Sequence, residues 1–202
     1  MRKSSSAMLV AAAAAAGVVC VGAPAFAATW TVTPGGAVTA TAGTTTLKDV
    51  TSGATLTCTS STTDATVQSG TGLSGTAIAT ITNVNFTSCK GPLGIKFNVV
   101  NNGVSYQLNA VSYASGVTTG TLDNVTATMS GLLCSASVGG TTATTPGSVN
   151  GTYTNSTGVL AVSGGNLHVW NVSGCFGLLH NGDAVTYTAN YTLAPTLTIT
   201  SP

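Results

Sequence analysis

The chain has 202 residues, of which only 4% are charged: five Lys or Arg stand against four Asp, Glu is absent, and the formal net charge is +1 at pH 7. Duplex-binding proteins set roughly six to ten cationic contacts on phosphates, so nucleic acid is excluded as a partner. Hydrophobicity is ordinary at 43%, whereas disordered chains pair low hydrophobicity with high charge. Thr, Ser and Asn take the place of charge, and β-branched Thr suits a pleated surface.

Residues 1–27 are a different material from the rest, with Arg2 and Lys3, an apolar run over 7–21 and then Ala25-Phe26-Ala27. This is the pattern of a secretory signal peptide, expected to be cleaved after Ala27, with no transmembrane anchor retained after processing. The remaining 202 − 27 = 175 residues suffice for a single domain with a sizeable core. That part keeps Lys48, Lys90 and Lys96 against Asp49, Asp64, Asp123 and Asp183, a formal charge of −1.

From residue 28 onward, short β-like runs alternate with Gly, Asn and Ser, and no stretch repeats apolar residues at helical spacing. Strands are expected over 30–33, 37–42, 44–50 and 54–60, the last pointing Leu56 and Cys58 inward. Residues 70–75 read as a flexible crossing, and 76–87 as one long strand or two adjoining ones. Cys89 lies three residues beyond Phe86, and Cys175 three beyond Val172, so neither cysteine keeps the period of its strand. Each strand should therefore end or bulge just before its cysteine, at Ser88 and at Gly174.

Gly91-Pro92 marks a turn, 95–100 a strand, and Asn101-Asn102-Gly103 the turn of a hairpin. Beyond it, Val104, Tyr106, Leu108 and Ala110 share one face, as do Val185, Tyr187, Ala189, Tyr191 and Leu193 late in the chain. Between these come strands over 117–122, 125–130, 132–138, 152–155, 159–163 and 167–172, with 139–147 as the expected mobile loop and the likeliest carrier of function; 196–200 closes the chain. Many short strands without helices indicate an all-β antiparallel sandwich or barrel.

Two stretches share an order of Asn, apolar, Ser/Thr, any, Cys, any, Gly, any, Leu: 85–93 and 171–179. A Tyr-bearing strand follows each, so the expected domain over 28–202 has two repeat halves, about 30–113 and 114–202, related by a pseudo-twofold. Without Cys20 of the signal segment four cysteines remain, an even number in an exported chain and hence two disulfides. Spacing alone leaves three connectivities. The repeat selects Cys58–Cys89 and Cys134–Cys175, because Leu56-Thr57-Cys58 resembles Leu132-Leu133-Cys134. No close Cys-x-x-Cys pair supports zinc, so no metal and no cofactor is expected.

His168 and His180 are the only side chains suited to acid-base work near neutral pH. His180-Asn181-Gly182-Asp183 reads as an exposed turn, and His168 as an outward or hydrogen-bonded strand residue. No Gly-x-Ser-x-Gly elbow is present, and four scattered Asp do not make a glycosidase pair, so no catalytic residue is assigned. Most Tyr read as core; Trp30 and Tyr113 are the surface aromatics kept as candidate ligand contacts.

With Thr44-Thr45-Thr46-Leu47, Leu56-Thr57-Cys58, Gly120-Thr121-Leu122, Gly164-Gly165-Asn166-Leu167-His168 and Asn171-Val172-Ser173-Gly174-Cys175 in view, the chain resembles small secreted actinobacterial proteins of uncharacterised function. That resemblance implies secretion and paired cysteines and supplies no site residues. The expectation is an exported, non-enzymatic envelope or extracellular protein that presents a surface. The alternatives are a glycan- or lipid-binding module, and a secreted hydrolase. The partners left open are cell-wall glycan, lipid or another envelope protein, in an oligomeric state that the residues do not specify.

Overall fold

A computed structural model describes residues 28–202; the expected signal segment and Cys20 lie outside the described residues. Eighteen strands follow in order. The first nine are β1 (Trp30–Thr33), β2 (Gly36–Ala42), β3 (Thr45–Asp49), β4 (Thr55–Cys58), β5 (Ser60–Val67), β6 (Gly70–Leu73), β7 (Ala79–Thr87), β8 (Cys89–Lys90) and β9 (Lys96–Val100). The others are β10 (Tyr106–Ala114), β11 (Val117–Val125), β12 (Ala127–Gly131), β13 (Cys134–Gly139), β14 (Gly147–Thr154), β15 (Val159–Gly164), β16 (His168–Gly174), β17 (Val185–Ala194) and β18 (Thr198–Thr200). Two 3-10 turns, Pro92–Gly94 and Cys175–Gly177, are the only helical pieces among the described residues. The expected all-β, antiparallel class is the observed one.

Fifteen strands form one sheet that curls onto itself. Because β15 pairs with both β14 and β17, the ring β15-β14-β11-β10-β7-β5-β2-β17 closes into a barrel. The rest of the sheet, β3-β4-β8-β9-β12-β13-β16, continues from the first half of β17 and rolls back until His168 bridges to Ala184 beside the start of that strand. Closure of this kind satisfies backbone groups that an open edge would leave unpaired. The separate sheet β18-β1-β6 covers one end, pairing Val32 with Ile199 and Trp30 with Leu73. Its inward residues Trp30, Val32, Leu197 and Ile199 pack with Val38, Val67, Ile78 and Tyr153.

The two disulfides are those expected, Cys58–Cys89 and Cys134–Cys175, with Cα atoms 3.8 and 4.2 Å apart. Each ties neighbouring strands: β4 lies beside β8, and β13 beside β16. The phase break before each second cysteine is also present. Ser88 has φ 51° and Gly174 φ 73°, and the Gly174 Cα lies so near the Leu133 carbonyl that a Cβ would overlap it.

Two expectations are corrected, and one strand lies where none was expected. Residues 60–67 form β5, a full strand, although Ser60-Ser61-Thr62-Thr63-Asp64 carries no apolar alternation at its start. Residues 70–73 are not a crossing but β6, an edge of the end cap. At 101–103 the turn is real, with Asn102 and Gly103 at positive φ, but the strands on either side do not form a hairpin. Instead β9 pairs with β8, β12 and one residue of β7, while β10 crosses to lie between β7 and β11. Turn chemistry dictates the local reversal and not the partner of the next strand.

Candidate functional site

Where the barrel wall turns its alternate residues inward, it leaves an apolar cavity of about 170 Å³. On β5 the inward set is Ser61, Thr63, Ala65 and Val67, of which the last three line the cavity and Ser61 lies buried behind it; on β17 the lining includes Tyr187, Tyr191 and Leu193. Val38 and Ala40 of β2, Ile81 and Val84 of β7, Leu108 and Ala110 of β10, Leu122 of β11 and Val162 of β15 add to the wall, and Leu47 of β3, Leu56 of β4, Val99 of β9 and Met129 of β12 extend it into the rolled part of the sheet. Gly120 and Gly151 contribute bare backbone; a Cβ at Gly120 would overlap the Asn109 carbonyl, and one at Gly151 would touch Leu160 and Val162. No Lys, Arg, His, Asp or Glu lines it. An engineered apolar cavity of about 150 Å³ stays dry and admits a benzene-sized molecule, so this volume suits an occupant of about six carbons.

The polar atoms within this wall are nearly all hydroxyls. Ser61 Oγ lies 2.8 Å from the Tyr191 hydroxyl, and Tyr191 in turn lies 2.7 Å from the Tyr187 hydroxyl. The three form a chain across β5 and β17. Burial raises both phenols, Tyr187 the further, since a phenolate would have no water or cation to stabilise it. Tyr106 is raised by the same cause and donates to the Thr126 carbonyl. Tyr153, also raised by burial, donates to the Leu197 carbonyl at 2.8 Å and accepts from the Leu197 N–H at 2.9 Å, so it joins the wall to the end cap.

Three further hydroxyls have no hydrogen-bond partner although each is at least nine-tenths buried: Thr45 (1% exposed), Thr63 (7%) and Thr118 (6%). All three line the cavity. Thr63 is the next inward position after Ser61 on β5, Thr45 lies near the Tyr187 hydroxyl from β3, and Thr118 sits cross-strand from Tyr153 near the cap. Buried polar groups are nearly always paired, which makes this cluster the feature of the interior that calls for an explanation.

The residues singled out from sequence fall elsewhere. Trp30 is not a surface aromatic: it is 1% exposed in the end cap, because β1 turns Trp30 and Val32 toward the barrel. Tyr113 is partly buried against the same cluster. His168 is half-buried, its Nδ1 2.9 Å from the Asn166 carbonyl and its ring stacked on Trp170 at 6.4 Å. His180 is exposed, 3.4 Å from Asp183 Oδ2, whose carboxylate also accepts the His180 N–H. Neither histidine reaches the cavity. In the 139–147 loop, Gly140 donates to the Thr145 carbonyl at 2.7 Å and its own carbonyl accepts from the Trp170 indole at 3.0 Å. Sequence reasoning passed over Ser61, Thr63, Thr45 and Thr118. The signal that finds the first two is the period-2 set Ser61, Thr63, Ala65, Val67, which puts hydroxyls and small apolar groups on one face; Thr45 on β3 and Thr118 on β11 carry no such signal.

Outside the cavity, three adjacent turns present bare apolar side chains: Leu93 after β8, Leu132 and Leu133 between β12 and β13, and Phe176 after β16. Gly131 pairs with Phe97 at one side of this row, and the Cys175 N–H donates to the Leu133 carbonyl at the other.

Neither a curated protein nor a solved structure matches this chain. Residues 1–201 match the alkane oxidation protein activator PraA/PraB-like family. The chain belongs to that family. For a PraA/PraB-like protein, the match spans the fifteen-stranded sheet, the end cap and all four disulfide cysteines. Among the described residues of this family member, no helix is long and apolar enough to cross a membrane. Its two disulfides are of the kind kept in an oxidising, extracellular or periplasmic setting.

Proposed function

We propose that the protein supports alkane oxidation as an exported, non-enzymatic binding protein that takes a short hydrocarbon chain into its barrel. The observation that carries this reading is the apolar cavity of about 170 Å³ with no ionisable carboxylate, ammonium or imidazole on its wall. Burial of an alkyl chain there is favourable by about 0.8 kcal/mol per CH₂. The family name supplies the metabolic setting, and the position of both histidines outside the cavity favours holding over turnover.

The test is the unfolding temperature of the purified protein with and without saturating n-hexane. A ligand that binds only the folded state raises it by mass action. A rise of several degrees is expected, and it should vanish in Ala65→Phe, which fills the space from the inward face of β5. No rise in the wild-type protein would overturn the reading.

A second reading, contact with a lipid surface, is favoured by the row Leu93, Leu132, Leu133 and Phe176 beside the exposed Lys90 and Lys96. Apolar tips flanked by ammonium groups suit an anionic bilayer, where each Lys near the surface contributes about 1 kcal/mol. Sedimentation with phosphatidylglycerol vesicles should fall in Leu132→Ser/Leu133→Ser and in Phe176→Ser. Equal sedimentation of these variants and the wild-type protein would remove this reading.

A further inference from the structure

Resting on the hydrocarbon-binding reading, we infer that the occupant of the cavity is a primary alcohol of about six carbons, its hydroxyl seated between Thr63 and the Ser61–Tyr191–Tyr187 chain. The argument is one of donor and acceptor counting. Three hydroxyls joined by two hydrogen bonds use two of their three protons, so one O–H at an end of the chain is left undonated. Beside the Ser61 end stands Thr63, whose Oγ1 neither donates nor accepts; beside the Tyr187 end stands Thr45, in the same condition. Two of the three unpaired hydroxyls, Thr63 and Thr45, thus flank this chain, and the third, Thr118, stands apart near the cap.

A pure alkane would bury these groups without answering them, at the cost that unpaired buried hydroxyls carry. A carboxylate would meet them but would enter as a charge, and no Lys, Arg or His lines the cavity to offset its desolvation. A carbonyl accepts only. The proton order along the Ser61–Tyr191–Tyr187 chain can run either way, and a hydroxyl, which both donates and accepts, fits both orders. The remaining wall, Val38, Ala40, Ile81, Val84, Leu108 and Val162, receives the alkyl tail. The ligand class is thus the first oxygenated product of a terminal alkane and not the alkane itself. The reaction that supplies it is a hydroxylation carried out by another protein.

The experiment measures dissociation constants for 1-hexanol, n-hexane and sodium hexanoate with the intact protein at neutral pH, in wild type, Thr63→Val and Ser61→Ala. Thr63→Val keeps the side-chain shape and removes only the hydroxyl. The expected result is that 1-hexanol weakens about tenfold in Thr63→Val, the factor a hydrogen bond of ordinary strength supplies. Ser61→Ala weakens it less, n-hexane changes by less than about twofold in either variant, and hexanoate binds weakest to wild type. If 1-hexanol and n-hexane respond alike to Thr63→Val, or if hexanoate binds as well as the alcohol, the alcohol assignment is overturned while hydrocarbon binding stands. If none of the three binds the wild-type protein, both fall.

Discussion

Thr63 is the residue at which the cost of this interior is most visible. Its hydroxyl is buried without a partner, and a buried unpaired hydroxyl costs about 1–3 kcal/mol. Removing it should stabilise the empty protein: Thr63→Val is expected to raise the free energy of unfolding by about 1 kcal/mol, read from the urea midpoint at unchanged slope. A loss of stability of similar size would show that the hydroxyl is already paired in solution. The buried tyrosines make the opposite contribution, and it depends on pH. Their phenols are held above the ordinary value of 10.0 by burial, so the unfolded chain loses protons first as pH rises. Stability from this source is complete below pH 10 and falls above it, by about 1.4 kcal/mol per pH unit for each phenol kept neutral. Urea midpoints taken between about pH 8 and pH 11.5 should be flat at first and then drop, with the phenolate absorbance of the buried tyrosines appearing only as the protein unfolds.

At the scale of the strand, β17 and β5 show what could be read in advance and what could not. The alternation of Val185, Tyr187, Ala189, Tyr191 and Leu193 is carried by large apolar side chains, and the structure turns that face inward. In β5 the inward face begins with Ser61 and Thr63, and a pattern of apolar residues cannot mark a strand whose buried side is hydroxyl-bearing. The same property that hid the strand makes it the wall of the site. Disulfides were legible for a different reason, because the two Cys-bearing stretches repeat in order, and each bond proves to join laterally paired strands. Cys134–Cys175 spans 41 residues, so on the chain-entropy model its removal in Cys134→Ala/Cys175→Ala costs roughly 4 kcal/mol. Denaturant unfolding of the double variant checks the figure, and a cost below about 1 kcal/mol would mean that the β13–β16 pairing is held without it.

Across the whole molecule, the class and the abundance of strands followed from composition and turn spacing, whereas the ring closure did not. Closure depends on β15 finding β17 across the chain, and on β9 leaving β10 to pair with β12, which are long-range choices that local turn residues leave open. The cavity is a consequence of closure and so was equally out of reach. Trp30 illustrates the point: beside Thr residues near the start of the described chain it reads as exposed, yet it is buried by strands that come from 70–73 and 198–200.

The end cap also joins the two extremes of the described chain. Thr31 pairs with Thr200, and Ser201 Oγ donates to the Thr29 carbonyl at 2.9 Å. A circular permutant that links residue 202 to residue 28 through a short Gly-Ser bridge, and opens in the exposed 141–145 segment, should fold with an unchanged near-ultraviolet spectrum. An unfolded permutant would show that order of synthesis matters to assembly. Because the cap is one sheet built from both extremes, β1 and β18 hold each other in place, and loss of either would uncover Val38, Val67, Ile78 and Tyr153 at that end of the barrel.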